Sequence, residues 1–223
     1  MNETLENIQD LTFFDELSDS ELDLLISFSK ITTHAKNSIL YYENETQNRL
    51  YFLIKGLIKL YKIDKYNNDV FLYYIEANSL ISEISCLSDE SLITLSNTEC
   101  MEECIILDVD FKLFKEHFLQ TNRLLREFTT ELIKRNKSLN NLIIRELVFD
   151  ATAKVAHLLH NNLEIFNSLK RHEISFMLHI QPETLSRVLN KLRRSYIIEI
   201  DGVKASILDE QKLQLIYKGE YNV

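Results

Sequence analysis

Between Ile39 and about Asp110 the chain alternates short apolar runs with clusters of turn-forming residues. Residues 44–48 and 66–69 form two such clusters, and both are rich in Asn, which tolerates the left-handed backbone that many turns require. Short apolar runs at this spacing predict an antiparallel barrel or roll. The predicted strands are residues 39–42, 50–54, 57–61, 70–75 and 104–107.

Two segments that flank this region have a helical pattern. Residues 11–30 contain Ser18 and Glu21, which predict a capping box at the start of a short helix. Residues 112–149 contain no Gly or Pro and predict one long helix, whose apolar stripe is interrupted by Arg135 and Glu146. This helix could pack on its own roll, but its length favours a dimer seam with a second copy. The seam residues are Leu125, Phe128, Leu132, Leu139 and Leu142.

From Asp150 onward the pattern predicts a helix over residues 152–161, two helices over 171–178 and 182–194, and a hairpin with Asp201-Gly202 as its turn. Residues 179–181 are too few for anything but a tight turn. A helix, a three-residue turn, a second helix and a hairpin together predict a winged helix-turn-helix. The predicted fold class is therefore α+β: a jelly-roll-like antiparallel β-roll (1–115), a dimerisation helix (116–149) and a winged helix-turn-helix DNA-binding domain (150–223).

The second helix of this motif has a polar outer face that suits base recognition. Glu183, Ser186 and Arg187 share this face near the helix N-terminus. Arg can donate to both O6 and N7 of guanine, Glu can accept from the amino group of cytosine, and Ser can contact either base edges or phosphate. The simpler alternative is that Glu183 and Arg187 form a surface ion pair. The predicted contacts to the DNA backbone are Lys170, Arg171, Thr184, Lys191, Arg194 and Lys204.

Charge is distributed unevenly along the chain. The net charge is −9, of which residues 1–149 carry −10 and residues 150–223 carry +1. Residues 170–194 alone carry +4. This element is either a local surface for a polyanion or a solvated helix face, and charge alone does not decide between them.

The run Glu183-Thr-Leu-Ser-Arg187 resembles the Glu-x-x-Ser-Arg recognition motif of the Crp/Fnr family of bacterial transcription regulators. Residues 14–22 resemble that family's opening helix, and residues 50–61 resemble its roll hairpin. The resemblance implies a homodimer on a palindrome with TTGA-like half-sites, and RNA polymerase as a further partner. Two residues depart from the family pattern. His179 stands where the turn usually has Gly, and Pro182 stands where many members have a polar or basic residue.

The resemblance implies that the β-roll (1–115) is a sensor domain, but this roll lacks the residues that family members use for two known effectors. Cyclic-nucleotide members hold phosphate with Gly-Glu-Leu followed by Arg, whereas the corresponding stretch here resembles Ser82-Glu83-Ile84 with no Arg after it. Residues 66–111 contain no Lys or Arg and ten acidic residues, although a buried phosphate needs a cation or a nest of N–H groups. We therefore predict no tight binding of cyclic AMP or cyclic GMP. Residues 1–85 contain no Cys, so the N-terminal iron–sulfur cluster of other members is also excluded.

Other cofactors have weaker support. Cys100 and Cys104 are either a redox pair or small buried strand residues, and burial is the favoured interpretation. His157 and His160 lie one helical turn apart, but no third metal ligand is near them in sequence. We predict no cofactor. Haem stays open, because a single His can ligate it, and the candidates in the sensor are His34 and His117.

An enzyme and a protein-docking module are the two alternatives to a DNA-binding regulator. The chain has no Gly-rich phosphate loop, nucleophile elbow or closely spaced metal triad, so we expect no enzyme. The alternative is an effector-binding or interaction module whose helix-turn-helix docks a protein. No apolar run reaches the length of a membrane helix, and the acidic opening (residues 1–6) lacks a signal pattern. We therefore expect a cytoplasmic location.

Overall fold

A computed structural model describes residues 8, 10–202 and 204–221, and the acidic opening used in the prediction of location lies outside this part. The chain divides into two compact units, Met1–Ser138 and Leu139–Val223. The boundary between the units falls inside the predicted dimerisation helix (116–149). The division into three functional domains therefore stays a prediction. No helix among the described residues is long and apolar enough to span a membrane.

The described part of the first unit is built from short antiparallel strands, as the apolar runs predict. Its largest sheet has the strand order β1-β9-β3-β6, a second sheet has the order β5-β4-β8, and β2 pairs with β7. The strand bounds are β1 Ser29–His34, β2 Thr46–Gln47, β3 Arg49–Lys55, β4 Leu57–Ile63, β5 Asp69–Glu76, β6 Ser79–Leu80, β7 Leu92–Ile93, β8 Asn97–Cys100 and β9 Cys104–Asp110.

Strand β3 shows how the sequence pattern builds the core of this unit. Leu50 and Phe52 point to one face, where the rings of Phe13 and Phe14 lie about 5 Å from that of Phe52. Leu53 points to the opposite face and joins a second cluster that includes Cys104. Because side chains alternate along a strand, a single apolar run supplies both clusters.

The predicted strand over residues 39–42 is wrong. Ile39 forms an isolated bridge with Glu99, and the segment otherwise belongs to no strand. Buried Tyr41 is held by individual hydrogen bonds and not by a strand ladder. Its N–H donates to the Thr98 hydroxyl, and its own hydroxyl donates to Ile81 O. The apolar residues of this run are therefore core residues of a loop.

The long helix predicted over residues 112–149 is interrupted. Helix α1 (Asp19–Ser27) precedes the strands, and the C-terminal part of the first unit begins with α2 (Phe111–Phe114). A π turn, Lys115–Leu119, follows α2, and the chain then turns at Asn122, whose φ of 60° is left-handed. Helix α3 (Leu125–Leu147) begins only after this turn. Asn can break a helix in this way, because it tolerates the left-handed region better than most residues.

The second unit contains the predicted helix-turn-helix and hairpin with the expected order. It also contains two helices that the sequence pattern did not predict. One lies between the first and second predicted helices, and the other follows the hairpin. The bounds are α4 Ala151–Asn161, α5 Leu163–Ser168, α6 Arg171–Met177, α7 Pro182–Arg194, β10 Ile198–Asp201, β11 Lys204–Ile207 and α8 Glu210–Tyr217.

Candidate nucleic-acid interface

Helix α7 is amphipathic, with one buried and one polar face. Gln181 has the extended backbone of an N-cap, and Pro182 occupies the first helical turn, where its missing N–H costs no hydrogen bond. The buried face matches the predicted inner face and comprises Leu185, Val188, Leu189 and Leu192. Packing of these four residues against the unit leaves the opposite face of α7 in solvent.

The turn before α7 has the geometry that the family pattern leads one to expect. Ile174 and Met177 bury the inner face of α6, and Ile180 N–H donates to Ser175 O at 3.0 Å. His179 adopts a φ of 52°, the left-handed conformation for which Gly is the usual residue. The departure at position 179 therefore leaves the backbone of the turn intact and adds a side chain to it.

The three predicted base-reading residues lie together on the solvent face of α7. Glu183, Ser186 and Arg187 are all exposed. Within the described part of the chain, Glu183 and Arg187 form no ion pair with each other, although one helical turn separates them. Their donors and acceptors are thus directed to solvent, where a ligand can reach them.

The predicted backbone contacts fall into two groups. Lys170, Lys191, Arg194 and Lys204 are exposed, and Lys204 begins the second strand of the hairpin. Thr184 is half-buried. Of these residues, Lys191 and Arg194 add positive charge to α7 itself, towards the C-terminal end of the helix.

Arg171 differs from the other predicted backbone contacts. Its guanidinium carbon lies 4.9 Å from the centroid of the Phe166 ring, and burial lowers the pKa of this group. The stacking holds Arg171 on its own unit. Its predicted role in binding a phosphate is therefore less direct than that of Lys170.

Two exposed residues at the end of α7 were not among the predicted site residues. Arg193 is exposed beside Arg194, and Tyr196 is 80% exposed with a φ of 57°. The basic run at 193–194 was visible in the sequence. The position of Tyr196 was not, because its exposure depends on the turn between α7 and β10.

An ion pair between buried Lys154 and half-buried Glu146 contacts the helix-turn-helix. Lys154, on α4, has a side chain that is 9% exposed, and its Nζ lies 3.0 Å from Glu146 Oε2. Nζ also donates to Leu178 O at 3.2 Å. Burial on its own raises the pKa of Glu146, but hydrogen bonds from Arg145, Lys154 and His179 outweigh it and lower the pKa to about 2.

The predicted dimer seam is exposed except at two positions. Leu125, Leu132 and Leu139 are exposed on α3, and Leu142 is half-buried. Phe128 is only 1% exposed and packs in the core of the first unit, so its assignment to the seam is corrected. An apolar stripe does not by itself distinguish Phe128 from its neighbours, because both a core and a partner helix favour apolar residues.

The polar residues that interrupt the stripe have specific partners. Arg135 donates to Leu80 O and Ile81 O, both at 3.0 Å, and its Nη1 lies 3.9 Å from Glu83 Oε1. Glu83 Oε2 in turn accepts from Ser96 Oγ and Leu95 N–H. A cation that is distant in sequence thus reaches the acidic stretch of residues 66–111.

The cysteines and histidines weighed as ligands are engaged in ordinary contacts. Cys100 and Cys104 are buried free thiols, and burial raises the pKa of Cys104 to about 12. Thr32 Oγ1 lies 3.0 Å from His34 Nε2, and His117 stacks on Phe28. Among the described residues, no group of three His, Cys, Asp or Glu side chains is arranged to hold a metal ion.

His157 and His160 belong to an aromatic cluster. The His157 ring lies 5.2 Å from that of Phe149 and 5.1 Å from that of Tyr217. His160 Nδ1 lies 3.3 Å from the Tyr217 hydroxyl. Both imidazoles therefore contribute to the packing between α4 and α8.

Comparison with known proteins identifies both parts of the chain. Residues 31–121 match the profile of the cyclic nucleotide-binding domain, and residues 153–216 match that of the Crp-like helix-turn-helix domain. The cAMP-activated global transcriptional regulator CRP of Pasteurella multocida is 22% identical over 194 residues. That alignment covers 82% of this chain and 92% of the relative.

A second relative and one solved structure agree with this result. The cyclic AMP receptor protein of Thermus thermophilus is 23% identical over 214 residues, which is 88% of this chain and 94% of the relative. A transcriptional regulator of the Crp/Fnr family from Eubacterium rectale superimposes with a TM-score of 0.68 at 15% identity, and the match covers 94% of this chain and 99% of that chain. At this identity the structural likeness establishes the fold.

Proposed function

Because the chain belongs to the Crp/Fnr family of transcription regulators, which bind DNA, we propose that it reads a palindromic site as a homodimer. In this proposal each copy inserts α7 into the major groove of one half-site. The observation that carries it is the solvent face of α7, where Glu183, Ser186 and Arg187 are exposed on a helix that ends in exposed basic residues. The expected half-site is TTGA-like.

The direct test is selection from a pool of random duplexes with the full-length protein, followed by fluorescence anisotropy on the recovered site. We expect a palindrome whose half-sites contain G·C pairs that Arg187 and Glu183 can read. We also expect affinity to fall steeply with salt, because Lys and Arg release counterions from the phosphates. Recovery of no common sequence, together with affinity that is independent of salt, would instead favour docking of a protein.

The homodimer is supported by the exposed face of α3. Leu125, Leu132, Leu139 and Ile143 recur on this face at steps of seven and four. Asn136, exposed between Leu132 and Leu139, lies at the centre of the same face. In a two-stranded coiled coil, a polar residue at such a position sets the register, because its amide is satisfied by the identical residue of the second copy.

The sensor in this proposal does not use cyclic AMP. Arg135 approaches the acidic stretch of residues 66–111 beside the Glu83 carboxylate, and its guanidinium already donates to two carbonyls. Other cations that reach this stretch, such as Arg49 and Lys59, are paired with its carboxylates. An incoming phosphate would have to displace these acceptors. Titration calorimetry with cyclic AMP and cyclic GMP should give no binding at micromolar concentration, and a measurable micromolar affinity would refute this part of the proposal.

The remaining parts of the proposal follow from the assigned class. A regulator that binds DNA acts where the genome and RNA polymerase are, so we expect a cytoplasmic protein that alters transcription without catalysing a reaction. Transcription in vitro from a promoter that carries the selected site tests this directly. A change in transcript level on addition of the protein is the expected result.

A further inference from the structure

The ammonium of buried Lys154 contacts the backbone at the start of the turn between α6 and α7. Leu178 caps the C-terminus of α6, and its carbonyl accepts from the ammonium of Lys154 at 3.2 Å. An ammonium buried to this degree needs an anionic partner, and Glu146 Oε2 provides it at 3.0 Å. A carbonyl of the helix-turn-helix is thus fixed to α4 and to the last turn of α3.

The same carboxylate also contacts a side chain of the turn directly. His179 Nδ1 lies 3.1 Å from Glu146 Oε2. The backbone at position 179 is left-handed, and the imidazole makes a contact that a Gly at this position could not make. Glu146 Oε2 is therefore linked to both sides of this point in the chain. It contacts His179 directly, and it contacts Leu178 through the ammonium of Lys154.

Few backbone hydrogen bonds fix the turn itself. His179 N–H donates to Phe176 O, and Ile180 N–H donates to Ser175 O. Both of these bonds close α6 onto its own last turn, so they do not reach α4 or α3. The Glu146 and Lys154 contacts do, since they link α3 and α4 to Leu178 and His179.

We propose that Glu146 is a positioning residue: together with Lys154 and His179, it fixes the turn of the helix-turn-helix so that α7 meets base edges at the correct angle. This inference rests on the proposed function of α7 in reading DNA. Base contacts tolerate displacements of only about 0.5 Å, whereas attraction to phosphates is far less sensitive to angle. Loss of the carboxylate should therefore reduce specific binding more than nonspecific binding.

The first test compares Glu146→Gln with the wild type in the full-length protein. Anisotropy is measured on the duplex recovered by selection with the wild type and on a scrambled duplex of equal length. The ratio of the two affinities should fall about tenfold, the effect of losing roughly one good base contact. Glu164→Gln, a matched change at an exposed Glu of the same unit, should leave the ratio unchanged.

A second variant separates positioning from simple stabilisation. Glu146→Leu combined with Lys154→Met replaces the ion pair by apolar groups, which buried sites often accept without loss of stability. This double variant should unfold near the wild-type denaturant midpoint but show the reduced affinity ratio. A folded variant with the wild-type ratio, or an equal loss on both duplexes, would overturn the inference.

Hydrogen exchange gives a readout that does not depend on DNA. Peptides that cover residues 175–181 should exchange faster in Glu146→Gln than in the wild type, while peptides from the first unit should be unchanged. Unchanged exchange at the turn would overturn the inference even if DNA binding behaves as proposed. A wild-type protein that shows no preference between the two duplexes would instead overturn the proposed function.

Discussion

At the scale of single residues, Arg187 should carry sequence preference. We expect Arg187→Ala to weaken binding to the selected site by about 1–3 kcal/mol, because two hydrogen bonds to guanine are lost. Binding to a scrambled duplex should change little. Anisotropy on both duplexes measures the difference, and an equal loss on every sequence would show that Arg187 contacts phosphate.

Gly56 is required by both its backbone and its surroundings. Its φ is 109°, and a Cβ at this position would lie 2.6 Å from Cys104 Sγ and 2.9 Å from Glu103 O. Backbone strain alone lowers the free energy of unfolding by about 1–3 kcal/mol, and Gly56→Ala should lower it by more than this. Gly219→Ala is the matched control, because its φ is 76° but its Cβ would meet nothing within 4 Å. Urea unfolding of both variants should show the larger loss at position 56.

Local patterns were sufficient to predict the polar face of α7, since its residues lie within one short helix. They were not sufficient for Glu146 and Arg135, whose partners come from other elements. The sequence did contain a signal, because both residues interrupt an apolar stripe. Such an interruption indicates that a polar side chain has a partner, but only the folded chain shows which one.

At the scale of elements, helix α3 contains neighbouring apolar residues with different roles. Phe128→Ala should destabilise the first unit by about 3–5 kcal/mol, because it leaves a cavity in a packed core. Leu132→Ala, one turn further along and exposed, should leave the unit folded and weaken the dimer. Urea unfolding and sedimentation equilibrium measure the two effects, and a dimer unaffected by Leu132→Ala would exclude this face as the seam.

Strands β3, β4, β5 and β9 were predicted from their apolar runs, whereas the largely polar strands β1 and β8 and the irregular elements were not. Strands β2, β6 and β7 have two residues each, which is too short to show an alternation of apolar and polar residues. The helix break at Asn122 was missed because neither Gly nor Pro marks it. Residues 39–42 show the opposite error, since an apolar run can also line a buried loop.

At the scale of the whole molecule, acid should destabilise the protein in two stages. Burial lowers the pKa values of His34 and His157, so each costs stability when it must be protonated below about pH 6.5. A hydrogen bond from Ser18 N–H, with Arg123, lowers the pKa of Glu21 to about 2, the value that Glu146 also has. Their contribution is complete above the unfolded pKa and is lost as pH falls toward 2.

Denaturant midpoints measured by circular dichroism between pH 7 and pH 2 test this expectation. The midpoint should decline from about pH 6.5 and fall further below about pH 4.5. Glu21→Gln should flatten the second stage, because the amide does not titrate. A midpoint that rises as the pH falls would contradict the sign derived for all four groups.

The division of α3 between the two units has a consequence for limited proteolysis. Residues 148–150 follow the last turn of α3 and are not helical, and Val148 is 71% exposed, so a protease should cut there rather than within the helix at residue 138 or 139. The amino-terminal fragment would then keep the paired helices and remain a dimer. The carboxy-terminal fragment, which lacks Glu146, would be released as single copies with a weakened preference for one half of an operator, and avidity for the full site would disappear.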